Sequence, residues 1–305
     1  MIQRLLPFAT LIILFISLCF VPNFLRETNL SSVIRQTAVI NIMALGMTMV
    51  IITGGIDLSV GAILAMGGLI GTMAMEKGQP ILAGVAVGIL MGSFCGFING
   101  YLTTRLKINA FIVTLGTLGI IRGMTLVISN GLPVHQIPAG FSFLGEGNLL
   151  GVPFVLWVLL LCGLMVHLIL EHTKLGRYSF AIGSNPDAAF YAGIPVAFHM
   201  TAIYAICGAL TGLAGMIEAS RLMTGQPTAG QGYELQAIAA VVIGGGSLRG
   251  GEGSVVGTLV GAFIMGLLSN GSDLLGISPY WQQAIIGAII ILAVSVDELR
   301  KRRVV

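Results

Sequence analysis

Long apolar runs separated by short breaks occupy almost the whole chain, and the breaks collect its charge, glycine and proline. After the head 1–4, the first run covers 5–21; no small-residue cleavage site follows it, since Pro22-Asn23-Phe24 does not suit one, so it reads as a span rather than a signal peptide. Further spans are predicted over 36–53, 58–75, 81–104 and 110–129, the last interrupted by Arg122. The segment 130–151 is polar, glycine-rich and proline-bearing, yet too apolar in places for a plain linker. Spans at 152–170 and 197–219 follow, then a short run at 235–245 that reads as a broken or re-entrant helix. Runs at 255–268 and 282–296 bring the expected count to about ten. The fold class is an all-α polytopic membrane protein, with 1–305 forming one transmembrane domain. No soluble run exceeds about 25 residues, too few for a separate folded core.

Composition agrees. Hydrophobic residues make up 56% of the chain and charged residues 9%, with mean hydropathy +0.98; soluble domains carry about 25% charged residues. The 43 glycines suit helices that must approach closely in lipid. The net charge of +3 points to no partner, and no basic face interleaved with aromatics suggests nucleic acid. Cys19, Cys95, Cys162 and Cys207 lie in separate predicted spans without a C-x-x-C pair, so they read as small buried hydrophobes.

The chain also repeats itself. Gly55-Ile56-Asp57-Leu58-Ser59-Val60-Gly61 through Gly67-Gly68 aligns without gaps on Gly232-Tyr233-Glu234-Leu235-Gln236-Ala237-Ile238 through Gly244-Gly245, acid on acid and closing glycines on closing glycines. Downstream, Gly88, Gly92, Phe94, Gly96 and Asn99-Gly100 have counterparts in Gly257, Gly261, Phe263, Gly266 and Asn270-Gly271. The repeat halves cover about 36–129 and 197–296. Asp57 follows the second span and Glu234 the seventh, an odd offset, so the copies are expected to be inverted, with a substrate path near the pseudo-twofold axis.

Lys and Arg set the orientation. With both termini cytoplasmic, the inner segments hold Arg4, Arg105, Lys107, Lys174, Arg177, Arg249 and the tail Arg300-Lys301-Arg302-Arg303. The outer ones hold only Arg26, Arg35, Lys77 and Arg221.

Candidate chemistry sits at the repeat breaks. Asp57 with Ser59, and Glu234 with Gln236, either cap helices through the dipole and free backbone N–H groups or hold broken helices whose ends line a path. Asn99-Gly100 and Asn270-Gly271 suit helix C-caps. Arg122 in hydrocarbon demands a protein partner or a wet cavity, and is read either as a path residue or as paired structurally, with Glu218 one candidate. Asn41 offers donor and acceptor to a passing hydroxyl or to a neighbouring helix. There is no G-x-x-x-x-G-K-[ST], so ATP is not expected to bind this chain through a P-loop; the glycine-rich 244–251 lacks the lysine. His167, Glu171 and His172 miss a metalloprotease spacing, and no metal or cofactor is expected.

The longest polar stretch expected on the cytoplasmic side, 171–195, reads as a short helix between glycine turns, with Asn185 as cap, Pro186 in its first turn and Asp187 facing the dipole. Its mixture of apolar and small residues suggests a docking element.

Three sets of residues together resemble the ribose-type permeases of bacterial ABC sugar importers: Gly55-Ile56-Asp57-Leu58-Ser59-Val60-Gly61; Thr173, Gly176-Arg177, Ala181, Gly183, Asn185, Ala188-Ala189 and Gly193-Ile194; and Gln226-Pro227-Thr228-Ala229-Gly230 with Gly232-Tyr233-Glu234-Leu235. The similarity runs from Phe24 to Asp297; the head before the first span is shorter than in several members. The resemblance implies a non-enzymatic transport subunit in the bacterial inner membrane. It also implies a second permease chain, cytoplasmic ATPase subunits that hydrolyse ATP, and a periplasmic sugar-binding protein. The loop 171–195 would supply the coupling helix, with Thr173, Gly176, Arg177, Gly183, Asn185, Ala188, Ala189 and Gly193 at the ATPase contact. Asn41, Asp57, Ser59, Arg122, Glu234 and Gln236 are the path candidates. The competing class is an ion-coupled secondary transporter, which also uses inverted repeats but needs ionisable residues deep in the spans. A passive channel, the further competitor, has no need of a docking loop.

Overall fold

In the computed structural model, which describes residues 2–302, apolar helices stand at all the expected spans. They are α1 (Ile2–Leu18), α2 (Glu27–Ile52), α3 (Val60–Glu76), α4 (Ile81–Arg105), α5 (Ala110–Ser129), α7 (Phe154–His172), α10 (Val196–Leu222), α11 (Tyr233–Ile243), α12 (Val255–Leu274) and α13 (Pro279–Arg302). Of these, α2, α4, α5, α7, α10 and α12 are long and apolar enough to cross a membrane, while α1, α3, α11 and α13 contribute shorter apolar stretches. The side chains of Arg4, Arg300, Lys301 and Arg302, and all of Arg303, on which the orientation argument leans, lie outside what the structure describes.

The centre of the molecule is α2, whose residues from Thr37 to Ile52 are almost all buried. It packs against α7, α10, α11 and α12. Glycine makes the closest approaches. A methyl group on Gly92 of α4 would overlap the Gly208 carbonyl of α10; one on Gly208 would overlap the carbonyl of Gly92. Gly96 meets the Tyr204 carbonyl in the same way. With no hydrophobic drive between helices in lipid, such backbone contact supplies the packing. Hydroxyl pairs add to it: Thr48 to Thr258 at 2.6 Å between α2 and α12, and Thr104 to Thr201 at 3.1 Å between α4 and α10.

The packing partners pair off. As α4 lies on α10, α12 lies on α2; as α3 lies on α10, α11 lies on α2; and α3 meets α5 as α11 meets α13. Gly67 and Gly88 abut each other's carbonyls, and so do the aligned Gly244 and Gly257.

Two expectations are corrected. Asn99-Gly100 and Asn270-Gly271 do not end their helices, because α4 continues to Arg105 and α12 to Leu274. Each asparagine has an interhelical or loop partner instead of a capping role; Asn270 exchanges amide hydrogen bonds with Asn29 at 3.1 and 2.9 Å.

Between α5 and α7 the chain folds back over one end of the bundle as a 3-10 turn (Ala139–Ser142), α6 (Phe143–Glu146) and a hairpin of β1 (Asn148–Leu149) with β2 (Val152–Pro153). Glu146 pairs with Arg35 of α2 and lies 4.0 Å from Arg221 of α10. After α7 come α8 (Lys174–Ser184) and α9 (Pro186–Tyr191).

Candidate functional site

The first break, between α2 and α3, buries a carboxylate completely. Asp57 Oδ1 accepts from the Ser59 backbone N–H at 2.9 Å and from Ser59 Oγ at 2.6 Å. From α4, Asn99 Nδ2 donates to Asp57 Oδ2 at 3.2 Å and to Ser59 Oγ at 2.8 Å. The acid therefore closes a local turn just before α3 and ties it to α4. It does not accept from the free N–H groups further along the helix. Asn99 Oδ1 and the buried hydroxyl of Tyr204, beside Gly55, have no side-chain or backbone partner among the described residues. The carbonyl of Ile56 accepts from Thr114 Oγ1 of α5 at 3.1 Å.

The second break, between α10 and α11, is longer and not helical. Met223 ends α10 in the left-handed region, φ 47°. Gly225 then bridges Val134 and presses on Thr72 of α3, and Gly230 reaches Gly61 near the start of the same helix. The segment thus runs beside α3 for roughly three turns. Pro227 sits at the second position of a turn closed by Ala229 N–H to the Gln226 carbonyl, 3.1 Å. Glu234 Oε1 accepts from the Gly232 N–H at 3.2 Å, which caps the start of α11.

Arg122 reaches this second break from α5. Its Nη1 donates at 2.8 Å to both the Pro227 and the Ala229 carbonyls, and its Nη2 donates to the Gly61 carbonyl at 3.2 Å. Glu234 carries the neighbouring opposite charge, and its Oε2 lies where a Gly61 side chain would stand. The suggested pairing of Arg122 with Glu218 is corrected. Glu218 instead accepts from Arg221 at 2.8 Å and from the Tyr233 hydroxyl at 3.3 Å.

The path candidates thus fall into two groups, Asp57 with Ser59 and Arg122 with Glu234, and the two breaks touch at Gly61 and Gly230. Asn41 stands apart in α2: its Nδ2 donates to the Thr37 carbonyl at 3.0 Å and its buried Oδ1 has no partner among the described residues. Gln236 is half-buried near the start of α11. Sequence reasoning missed Thr114 and took Asn99 for a helix end; only the folded chain brings both to the first break.

At the α8–α9 elbow, Thr173 Oγ1 accepts from the Gly176 N–H at 3.3 Å and Asn185 Oδ1 from the Ala188 N–H at 2.9 Å. Each is a helix N-cap. Gly176 lies against the backbone of Leu170, and Gly183 against the carbonyl of Ile52 and the Gly251 N–H. Ala189 is buried. Those small residues seat the elbow on its own chain. Arg177, Ala188 and Gly193 face outward, and so do Phe190 and Tyr191, 67% and 86% exposed, which the sequence did not single out.

Residues 29–294 match the family described as branched-chain amino acid transport system / permease component. The chain belongs to this permease family. Its relatives include the ribose import permease of Escherichia coli (strain K12), 43% identical over 96% of this chain and 92% of that protein. The ribose import permease of Bacillus subtilis (strain 168) is 44% identical over 97% and 92%. The D-allose transport system permease of Escherichia coli (strain K12) is 38% identical over 90% and 85%. No solved structure matches the permease.

Proposed function

We propose that this permease is the transmembrane subunit of an ATP-driven importer that carries a small neutral sugar, ribose or a related monosaccharide, into the cytoplasm. The observation that carries the reading is identity of 43% along nearly the full length of a permease named for ribose import. The family description names amino acids instead, so the family alone does not set the substrate class. The breaks favour a neutral solute. Both carboxylates already have partners in the protein: Asp57 accepts from Ser59 and Asn99, and Glu234 accepts from the Gly232 N–H with Arg122 nearby. Asn41, Ser59 and Gln236 offer hydrogen bonds without charge.

Energy comes from elsewhere, since the chain carries no P-loop. Two cytoplasmic ATPases would engage the α8–α9 elbow through Arg177 of α8 and Ala188, Phe190 and Tyr191 of α9. A second permease chain and a periplasmic sugar-binding protein complete the assembly, in the bacterial inner membrane with both termini cytoplasmic. The paired packing of the two halves and the reciprocal glycine contacts support an inverted repeat, in which the halves rock about the breaks.

Reconstitution with the ATPase and binding protein encoded beside this chain tests the proposal. ATP-dependent uptake of labelled ribose or another monosaccharide is expected to exceed uptake of leucine and of ribose 5-phosphate. Preference for leucine or ribose 5-phosphate over every sugar tried overturns it.

A further inference from the structure

A polypeptide stretch without helix is costly wherever lipid replaces water, because each unpaired carbonyl loses its solvent. The segment from Gly225 to Gly232 is such a stretch, lying between α3 and α5. The Pro227 and Ala229 carbonyls accept no backbone hydrogen bond among the described residues; both turn to one nitrogen of Arg122. The other terminal nitrogen holds the Gly61 carbonyl of α3. One guanidinium therefore joins α5, α3 and the second break, with the Glu234 carboxylate alongside as counter-charge. Guanidinium suits this task, since its rigid fork keeps several donors in fixed directions and its charge is permanent. Gln226 and Ala229 of the segment, with Thr224 before it, also line a small cavity shared with Leu64 and Gly68 of α3 and Glu218 of α10. The segment is held at its Gly225 end by the bridge to Val134 and in its middle by Arg122.

We infer that Arg122 is the positioning residue of a gate: by holding the Pro227 and Ala229 carbonyls together with that of Gly61 it latches the middle of segment 225–232 against α3, and release of that latch opens the path beside α3. The inference rests on the importer reading and assigns that reading its moving part. Arg122 acts on the backbone rather than on sugar. Its loss is expected to spoil closure more than recognition.

The test uses the assembled complex with its ATPase and binding protein in proteoliposomes, with Arg122→Gln and Arg122→Lys. Losing even one charge-assisted hydrogen bond shifts a two-position equilibrium on the order of tenfold. Arg122→Gln is therefore expected to raise ATP-independent ribose efflux roughly tenfold and to lower the sugar carried per ATP hydrolysed. Arg122→Lys, which keeps the charge but not the fork, is expected to lie between. A cysteine placed at the exposed Thr228 reads the segment directly. Its maleimide labelling is expected to rise with efflux, while labelling of a cysteine at Leu150, exposed and outside the segment, stays constant. Wild-type efflux, stoichiometry and Thr228→Cys labelling in Arg122→Gln overturn the latch. If that variant does not assemble, the same wild-type values in Arg122→Lys overturn it. Absence of ATP-dependent sugar uptake by the unmodified complex strikes at the importer reading instead.

Discussion

Removing the Asp57 carboxylate takes the acceptor from the Ser59 N–H, the Ser59 hydroxyl and one Asn99 amide hydrogen at a fully buried site, while Asn99 keeps its bond to Ser59 Oγ. A buried donor left unpaired costs about 1–3 kcal/mol. Asp57→Ala is therefore expected to destabilise the permease by several kcal/mol. Asp57→Asn is milder, because its amide oxygen still accepts from Ser59 and Asn99 has a spare oxygen to turn toward the new donor. Thermal unfolding of the detergent-solubilised chain checks the ranking; a wild-type melting temperature for Asp57→Ala would remove the structural role assigned here. Half of this site was legible beforehand. An acid two residues before a helix-opening stretch closes a turn by local rules, and Ser59 lies within that reach. Asn99 is far along the chain, so only folding brings it near, and its Asn-Gly pair pointed locally to a helix end that does not exist. Arg122 was legible as a charge needing a partner, but the groups it hydrogen-bonds are not side chains. Its partners are backbone carbonyls, which leave no mark in residue type.

At the scale of elements, α8 and α9 are the part most fully written in local sequence. Thr173 and Asn185 cap them, and Pro186 opens α9 where its missing N–H costs nothing. The direction their residues face was not legible. Glycine at 176 and 183 permits close approach to a partner subunit or to the chain itself, and spacing does not separate the two; the folded chain uses them inward. The outward face of the elbow holds Arg177 and the aromatic pair Phe190 and Tyr191. Arg177→Glu is expected to weaken ATPase co-purification or uncouple hydrolysis from uptake while the chain still inserts. Tyr191→Ala should do so by lost apolar contact, without sensitivity to salt, whereas a charge pair at Arg177 is weakened by it. Pull-down at low and high ionic strength compares them. Wild-type ATPase capture and sugar uptake in both variants would rule out this face as the coupling surface.

For the whole molecule, the inverted repeat makes a demand that no single site makes: corresponding loops must emerge on opposite sides of the membrane. The aligned glycines 67 and 88, and 244 and 257, form the same reciprocal contact, and each helix of one half finds its neighbour's counterpart in the other. The polar groups do not follow that symmetry. Asn99 joins Asp57, whereas its counterpart Asn270 joins Asn29, and the second break alone carries a long non-helical segment. Packing follows the repeat while the polar contacts do not, although Asp57 and Glu234 and the two Asn-Gly pairs still align in sequence. If the halves are inverted, the cap formed by 139–153 and the α8–α9 elbow lie across the membrane from each other, because one helix, α7, separates them. Cysteines at Leu150, 84% exposed, and at Asp187 report their sides. The native cysteines other than Cys19 are buried, so a Cys19→Ser background suffices. In intact cells expressing the permease alone, a membrane-impermeant maleimide is expected to label Leu150→Cys and spare Asp187→Cys until the membrane is opened. Labelling of both from the outside, or of neither, would contradict α7 as a crossing helix; labelling of Asp187→Cys alone would keep the crossing and reverse the orientation drawn from Lys and Arg.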